Sequence, residues 1–389
     1  MADEPIASLG GKTPLEAAHT PNMDALASAG EMGMAKTVPD TLRPGSDVAN
    51  LAVLGYDPEK SYSGRSPLEA LSVGVPMGDD DVIFRCNLVT VTEDGPYDEK
   101  IILDHSAGEI TTAEADELMD AIRARFDSDK FRFYTGTGYR HITVWHGGEV
   151  LDMYPPHDHL DEVIGAYLPS HPEFRRMMAE SFDILNNHPV NLKRAAEGKG
   201  KANSLWFWGA GTRPSLENFT SKTGKRGAMI SAVDLLKGIA HGAGMKVIIV
   251  DGADGTLDTN YEGKAKAAVK TLLEDGDDFV YIHIEAPDEM GHQGSPERKV
   301  RSIEYIDERV LAPLKRDMDA SGEPYRILMM PDHPTPCAIR THTSTPVPYV
   351  LYDSTREMRK IARYSEREAS ETGNYEPNGY MLMTRLLGE

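Results

Sequence analysis

The chain has 389 residues and a formal net charge of −21 at pH 7. This length predicts two domains, and the negative charge argues against a surface for nucleic acid or anionic membranes, while a small anionic substrate requires arginines gathered locally. No apolar run approaches the roughly 18 residues of a membrane span, and the start MADEPIASLGG lacks the basic and apolar regions of a secretory leader. Only Cys86 and Cys337 occur, so we expect no disulfide framework, no thiolate zinc site, and a reducing, cytoplasmic setting.

The first elements in chain order are predicted helices. One begins at 20–21, Thr-Pro, which is typical of the N-cap and N1 positions, and ends at Gly30. After the break at Pro44-Gly45, a second helix begins at Ser46-Asp47. Ser46 is therefore predicted at a helix N-terminus, where free N–H groups and the helix dipole favour a phosphate. Because serine is also a common N-cap residue, a purely structural role is the alternative.

The middle of the chain has a different pattern of apolar and polar residues. The change begins at residues 82–92, VIFRCNLVTVT. Residues 111–126 then have the pattern of an amphipathic helix, FRFYTGTGYRHITVWH indicates a hairpin turning at 135–138, and 171–197 are helical in pattern. Hairpins mixed with helices predict an α+β insert.

From about Gly227 the pattern changes to an alternation of helices and strands. The predicted helices are 228–241, 262–275 and 296–319, and the predicted strands are 246–250, 278–285, 325–330 and 347–352. This alternation predicts a parallel sheet covered by helices.

Polar clusters follow two of these strands. HIEAPDEMGH contains Asp288 and His292, and PDHPTPCAIRTHTSTPVP contains Asp332, His333 and His342. Open α/β sheets place their chemistry at the C-terminal ends of strands. Each cluster alone could be an ordinary polar loop, but two of them at strand ends favour a mixed N/O site suited to Mn, Zn or Fe.

A serine at a helix start completes the pattern. A bound metal can activate a serine hydroxyl without a histidine base and can stabilise a transferring phosphoryl group. The combination of Ser46 with the two clusters therefore suits phosphoryl transfer through a phosphoserine.

Eight segments carry a resemblance to a known family: LGGKTPLEAAHTPNMDALA, RPGSDVANLAVLGYDP, YSGRSPLEALSVG, RCNLVTV, WGAGTRP, HIEAPDEMGHQG, PDHPTP and HTSTPVP. Together they resemble the cofactor-independent phosphoglycerate mutases, archaeal-type branch, of the alkaline phosphatase superfamily, over nearly the whole chain. The resemblance implies an α/β fold with an alkaline-phosphatase-like, mostly parallel sheet flanked by helices. The discontinuous metal-binding catalytic domain is expected at 1–78 and 213–389, and an inserted α+β cap that binds substrate at 79–212.

The resemblance also implies residue roles. Ser46 is the expected phosphorylated nucleophile, with two divalent ions as cofactors, Mn first and Zn, Mg or Co as alternatives. The first ion would be bound by Asp288, His292 and His342, and the second by Ser46, Asp332 and His333. The expected substrate contacts are Arg213, Lys264, Arg85 and His141.

One departure concerns the start of the chain. Family members begin with an apolar strand that ends in Asp-Gly, whose Asp binds the second metal, whereas MADEP matches the residues after that pair, so Asp3 aligns beyond the ligand. We expect an upstream translation start.

The expected activity is interconversion of 3- and 2-phosphoglycerate, with a small phosphorylated anion as the substrate. The alternatives are a related phosphotransferase such as a homoserine kinase, a phosphomonoesterase, or an inactive binding protein that lacks one metal ligand. The sequence leaves the oligomeric state open.

Overall fold

The computed structural model describes residues 1–356 and 362–388. The strands in the described part are β1 (Glu31–Ala35), β2 (Asp81–Val91), β3 (Ile102–Asp104), β4 (Phe131–Tyr134), β5 (Arg140–His146), β6 (Ser204–Thr212), β7 (Gly227–Ile230), β8 (Lys246–Ile248), β9 (Phe279–Ile282), β10 (Arg326–Met329), β11 (Val347–Asp353) and β12 (Tyr375–Glu376).

The helices are α1 (Pro14–Ala17), α2 (Pro21–Ala29), α3 (Ser46–Val53), α4 (Pro58–Ser61), α5 (Arg65–Ser72), α6 (Thr112–Phe126), α7 (Pro172–Leu185), α8 (Pro189–Ala196), α9 (Phe219–Thr223), α10 (Asp234–Gly242), α11 (Tyr261–Leu273), α12 (Ala286–His292), α13 (Pro296–Ile306), α14 (Ala312–Ser321), α15 (Glu366–Glu371) and α16 (Met381–Leu387). A π-helical turn, Asp307–Leu311, connects α13 to α14. None of the described helices is long and apolar enough to cross a membrane.

The chain divides into two compact units. The first, the discontinuous unit, comprises residues 1–62 and 215–389, and the second, the inserted unit, comprises 63–214. Residues 63–78, which the sequence interpretation placed with the first domain, lie in the inserted unit because α5 packs on β2 and β6. Arg213 likewise falls in the inserted unit.

The inserted unit is built on one antiparallel sheet. Its strand order is β3-β2-β5-β4, with β6 paired to β2, so none of its strands belongs to the sheets of the other unit. The core lies against α6 and α7 and contains the buried rings of Phe84, Phe174 and Trp206. The two ends of the unit meet, since the Thr212 N–H donates to the Ser63 carbonyl at 3.3 Å and the Ser63 hydroxyl donates back at 2.6 Å.

The discontinuous unit contains a small parallel sheet with the order β8-β7-β9. Ile230 of β7 packs in one buried cluster with Ala265 of α11 and Leu314 of α14. The sequence predicted a helix over 228–241, but its first residues form β7, and the helix begins only at Asp234. Ala228 and Met229 favour helices locally, and pairing with two parallel neighbours overrides that preference.

A second sheet of the same unit has the order β10-β11-β1-β12. The predicted strand over 347–352 is present as β11, but it runs antiparallel to both β10 and β1. The α/β fold class is confirmed, whereas the prediction that this last strand continues a parallel sheet is wrong. Hydrophobic periodicity gives the burial of a strand but does not give its direction.

Candidate active site

The site begins with Ser46, the first residue of α3. Gly45 is the N-cap, with an extended backbone (φ −173°, ψ 158°). Ser46 is therefore not the capping residue, and its Oγ lies 3.0 Å from Nε2 of His333 instead. This contact favours a chemical role for the hydroxyl over the capping alternative.

Asp332 and His333 follow β10 and bring the second polar cluster to Ser46. The His333 N–H donates to Oδ1 of Asp332 at 3.0 Å, and Nε2 of His333 lies 3.3 Å from Oδ2 of Asp332. Oγ of Ser46, Nε2 of His333 and the Asp332 carboxylate thus adjoin one another at the end of a strand. These are the three groups that the resemblance assigned to the second metal.

Asp288, His292 and His342 form the neighbouring cluster. The two carboxylate oxygens of Asp288 lie 3.3 Å from Nε2 of His292 and 3.4 Å from Nε2 of His342. The two Nε2 atoms are themselves 3.0 Å apart, and Nδ1 of His292 faces the Arg340 carbonyl at 3.0 Å. Because α12 carries both Asp288 and His292 one helical turn apart, the DxxxH spacing places them on one face.

The two clusters form one continuous group. The rings of His333 and His342 are 4.0 Å apart, centroid to centroid. Ligand atoms of Asp288, His333 and His342 lie within 4.8 Å of one another, so this potential metal-binding set includes a histidine from each expected site. The donors are imidazole nitrogens and carboxylate oxygens, a set that fits Mn or Zn.

The pKa shifts in this group favour cation binding, with one exception. Burial would raise the pKa of Asp288, yet the hydrogen bonds to His292 and His342 hold it well below its ordinary value. Burial lowers the pKa of His333 despite the neighbouring Asp332. His292 is the exception, because its hydrogen bond to Asp288 raises its pKa to about 9.

Several polar residues that the sequence interpretation missed support the site. The Asn50 side-chain amide donates to Oδ2 of Asp332 at 2.9 Å and to the Ser46 carbonyl at 2.8 Å, and it accepts from the Tyr281 hydroxyl. The Thr37 hydroxyl donates to the Asp332 carbonyl at 2.5 Å. Only Asn50 had a signal in the sequence, since it lies four residues after Ser46 and therefore on the same helix face.

Lys264 and Glu285 adjoin the cluster of Asp288, His292 and His342. Lys264 is fully buried in α11, and its ammonium donates to the His283 carbonyl at 3.1 Å. Burial lowers the pKa of Lys264 to about 8, while burial and then the charge of Asp288 raise that of Glu285 to about 7.

The other three expected substrate contacts lie in the inserted unit. Arg85 donates twice to Glu69, at 2.6 and 2.7 Å, and Arg213 is exposed and pairs with Asp79 at 3.2 Å. His141 is 0 % exposed, so it does not reach solvent here. Its Nδ1 accepts from the Gly136 N–H at 3.2 Å, and Nε2 has no hydrogen-bond partner among the described residues.

Comparisons with known proteins agree on one family. The family model of 2,3-bisphosphoglycerate-independent phosphoglycerate mutase matches residues 27–191. The mutase of that name from Methanosarcina mazei is 48% identical over all of this chain and 96% of its own length. A second, from Methanothermobacter thermautotrophicus, is 47% identical over 98% of this chain and 94% of its own.

Solved structures give the same answer for the fold. A Pyrococcus horikoshii protein is similar with a TM-score of 0.81 and 30% identity, over 100% of this chain and 94% of its own. The cofactor-independent phosphoglycerate mutase of Thermoplasma acidophilum is similar with a TM-score of 0.67 and 28% identity, over 100% and 96%. With identities near one half along the full length, the chain belongs to the 2,3-bisphosphoglycerate-independent phosphoglycerate mutases.

Proposed function

We propose that this chain interconverts 3-phosphoglycerate and 2-phosphoglycerate through a phosphoserine at Ser46. The contact between Oγ of Ser46 and Nε2 of His333, at 3.0 Å, carries the proposal. The Ser46 hydroxyl does not cap the helix but lies beside buried nitrogen and carboxylate groups. The start of α3 adds free N–H groups, which favour a transferred phosphoryl group.

The proposed reaction conserves all its atoms. The bond between phosphorus and one glycerate oxygen breaks as a bond to Oγ of Ser46 forms, and the serine proton ends on the released glycerate. The second half reverses these steps at the other hydroxyl of the same glycerate. No phosphate donor is consumed, in agreement with the absence of a bisphosphoglycerate requirement in the family name.

We propose that two divalent ions, Mn first, act at this site. Asp288, His292 and His342 would hold one, and Ser46, Asp332 and His333 the other. When bound, such ions lower the pKa of the serine hydroxyl and neutralise phosphoryl charge. The nearness of Oγ of Ser46 to Nε2 of His333 suits either a hydrogen bond or two donors to one cation.

The inserted unit is the proposed substrate-binding cap. Water must be kept from the phosphoserine, and a mutase must retain the glycerate between half-reactions. Lys264 and the arginines Arg85 and Arg213 are the proposed contacts for phosphate and carboxylate, and His141 would contribute only if the unit opened around it. A reducing, cytoplasmic setting is proposed from the two buried free cysteines.

The direct test is to trap the phosphoenzyme. Protein incubated with 3-phosphoglycerate and Mn²⁺ is quenched in acid, and mass spectrometry of peptides should find the phosphate on Ser46. Ser46→Ala should lose both label and turnover with little change in thermal stability, because Gly45 caps the helix. The matched control is Ser28→Ala, a buried helix serine bonded to the Asp24 carbonyl, which should remain active. Phosphate on another residue, or an active Ser46→Ala variant, would refute the proposal.

A second assay separates the alternatives by substrate. Purified protein is given 3-phosphoglycerate alone, or ATP with homoserine, and the products are measured. The proposed mutase forms 2-phosphoglycerate without ATP. Phosphohomoserine would support a kinase instead, and release of inorganic phosphate as the main product would support a phosphomonoesterase.

A further inference from the structure

The Thr335 hydroxyl contacts both ligand clusters, although the sequence predicted no role for this residue. Its hydroxyl donates to Oδ1 of Asp288 and lies 3.3 Å from Nδ1 of His333. One hydroxyl therefore stands between a carboxylate of the first cluster and an imidazole of the second.

The directions of these hydrogen bonds follow from their partners. Nδ1 of His333 also faces the Pro334 carbonyl at 3.4 Å, and a carbonyl oxygen can only accept. Both contacts of Nδ1 are satisfied when Nδ1 carries the ring proton. The Thr335 oxygen then accepts a hydrogen bond from Nδ1–H. The Thr335 O–H donates its own hydrogen bond to the Asp288 carboxylate, whose oxygens can only accept at neutral pH.

The backbone of Thr335 is held from two sides. The Lys299 ammonium donates to its carbonyl at 2.8 Å and is itself completely buried. On the other side α12 packs so closely that a Cβ at Gly291 would lie 2.3 Å from the same carbonyl oxygen. The loop cannot shift toward either helix, so the hydroxyl stays between its two partners.

We propose that Thr335 is a positioning residue that couples the two ligand clusters. By fixing the ring proton of His333 on Nδ1 against the competing Oδ2 of Asp332, which lies 3.3 Å from Nε2, it leaves the lone pair of Nε2 directed at Oγ of Ser46, where a cation ligand or a proton acceptor is required. By donating to Oδ1, it also fixes the rotation of the Asp288 carboxylate. Partners of metal ligands that set a tautomer in this way typically affect metal affinity or activity by about 10- to 100-fold.

The substitutions that test this change the hydroxyl and little else. Thr335→Val keeps the shape and loses the hydrogen bonds, and Thr335→Ser keeps the hydroxyl. Thr20→Val is the matched control in the same unit, because the Thr20 hydroxyl is buried and has no hydrogen-bond partner among the described residues. All variants are studied as full-length protein with melting temperatures recorded without metal.

The first readout is the affinity for Mn²⁺. The protein is titrated with Mn²⁺, and binding is monitored by electron paramagnetic resonance. Thr335→Val should bind Mn²⁺ about 10- to 100-fold more weakly, while Thr335→Ser and Thr20→Val should match the wild type. Wild-type affinity in Thr335→Val, or a serine variant as impaired as the valine variant, would overturn the proposal.

The second readout is the histidine tautomer in the metal-free wild-type protein, by ¹⁵N NMR. His333 should carry its proton on Nδ1, and a proton on Nε2 would overturn the proposal even if Thr335→Val fails to fold. The effect on turnover rests on the proposed function, but these two measurements do not. A wild-type protein without mutase activity would refute the function and leave the test of Thr335 intact.

Discussion

Lys299 and Asp3 form an ion pair from which solvent is excluded. The Lys299 ammonium lies 2.8 Å from Oδ2 of Asp3, and the two side chains are 0% and 1% exposed. The ammonium also donates to the carbonyls of Ala2 and Thr335, and Oδ2 of Asp3 accepts the Cys337 N–H at 3.1 Å. All three ammonium protons are therefore used, and the chain near its beginning is joined to the loop after β10.

Removing one member of this pair should be strongly destabilising. Lys299→Met leaves the Asp3 carboxylate buried without its counter-charge, and the expected loss in the free energy of unfolding is about 3–5 kcal/mol. The loss is measured by urea denaturation of the metal-free protein. Because Asp3→Asn removes the stranded charge, the double variant should recover part of the stability.

The control for this prediction is a lysine paired at the surface. Lys237 pairs with Asp234 at 3.1 Å in α10, and the Asp234 side chain is 55% exposed. Lys237→Met should cost about 0–1 kcal/mol, since solvent screens such pairs. An equal loss in both variants would show that burial is not the cause.

Asn50 is expected to matter for turnover more than for folding. Asn50→Ala removes the donor that holds Asp332 against the Ser46 helix, a hydrogen bond to a charged group worth about 1.5–3 kcal/mol. We expect kcat/KM to fall by roughly 10- to 100-fold. The matched control is Asn22→Ala, which loses a similar amide contact to Asp307 at 2.7 Å and should lose stability without losing turnover. Equal kinetic losses in both would contradict the positioning role.

Two histidine variants distinguish the possible ligand sets. If the expected sites are correct, His292→Ala removes one ion and His333→Ala removes the other, so each variant retains about one equivalent of Mn after dialysis, by elemental analysis. If only Asp288, His333 and His342 bind one ion, the wild type holds a single equivalent and His292→Ala retains it. His19→Ala, an exposed histidine of the same unit, serves as the control and should not change the stoichiometry.

The inserted unit should lose stability in acid because of His141. Burial lowers its pKa from 6.5 to about 3. Between these values the unfolded chain binds a proton that the folded unit does not. The stability is therefore fully present above 6.5 and declines as the pH falls toward 3, by about 1.4 kcal/mol per pH unit.

His141→Gln should flatten this dependence between pH 6 and 4.5, even if it lowers stability overall. Tryptophan fluorescence during urea denaturation measures it selectively, because Trp145, Trp206 and Trp208 all lie in the inserted unit. His188→Gln is the control, since Nδ1 of His188 also accepts a backbone N–H but its ring is only partly buried. An unchanged slope in His141→Gln would contradict the assignment.

Local signals in the sequence predicted much of the fold. The Thr-Pro start and Gly end of α2 lie where expected, and the hairpin of β4 and β5 turns at the predicted residues. The same signals fail for β1 and β7, which are short and contain Gly, Ala and Met. Such residues have little strand preference, so only distant partners make these segments strands.

The candidate site likewise contains residues that local sequence signals could identify and residues that they could not. Ser46, Asp288 and His333 could be found from the sequence, because each is a reactive or metal-binding residue type that lies beside a recognisable helix or strand signal. Thr335 and Lys299 could not, because their importance lies in what they contact: a carboxylate 47 residues away for Thr335 and a carbonyl 36 residues away for Lys299. A lysine in an amphipathic helix pattern is ordinarily taken as solvent-facing.

The pairing of β1 with β11 has a consequence for synthesis of the protein. β1 ends at Ala35 and its partner begins at Val347, and these two residues lie opposite each other in the register. At about 5–20 residues per second, translation needs roughly 15–60 s to reach the partner strand. The inserted unit is contiguous in sequence and can be completed on the ribosome in that interval, whereas β1 emerges early and must wait with an unpaired edge. The nascent chain is therefore most in need of chaperone protection at residues 1–62, and slower translation of the segment after residue 214 would lengthen that exposure.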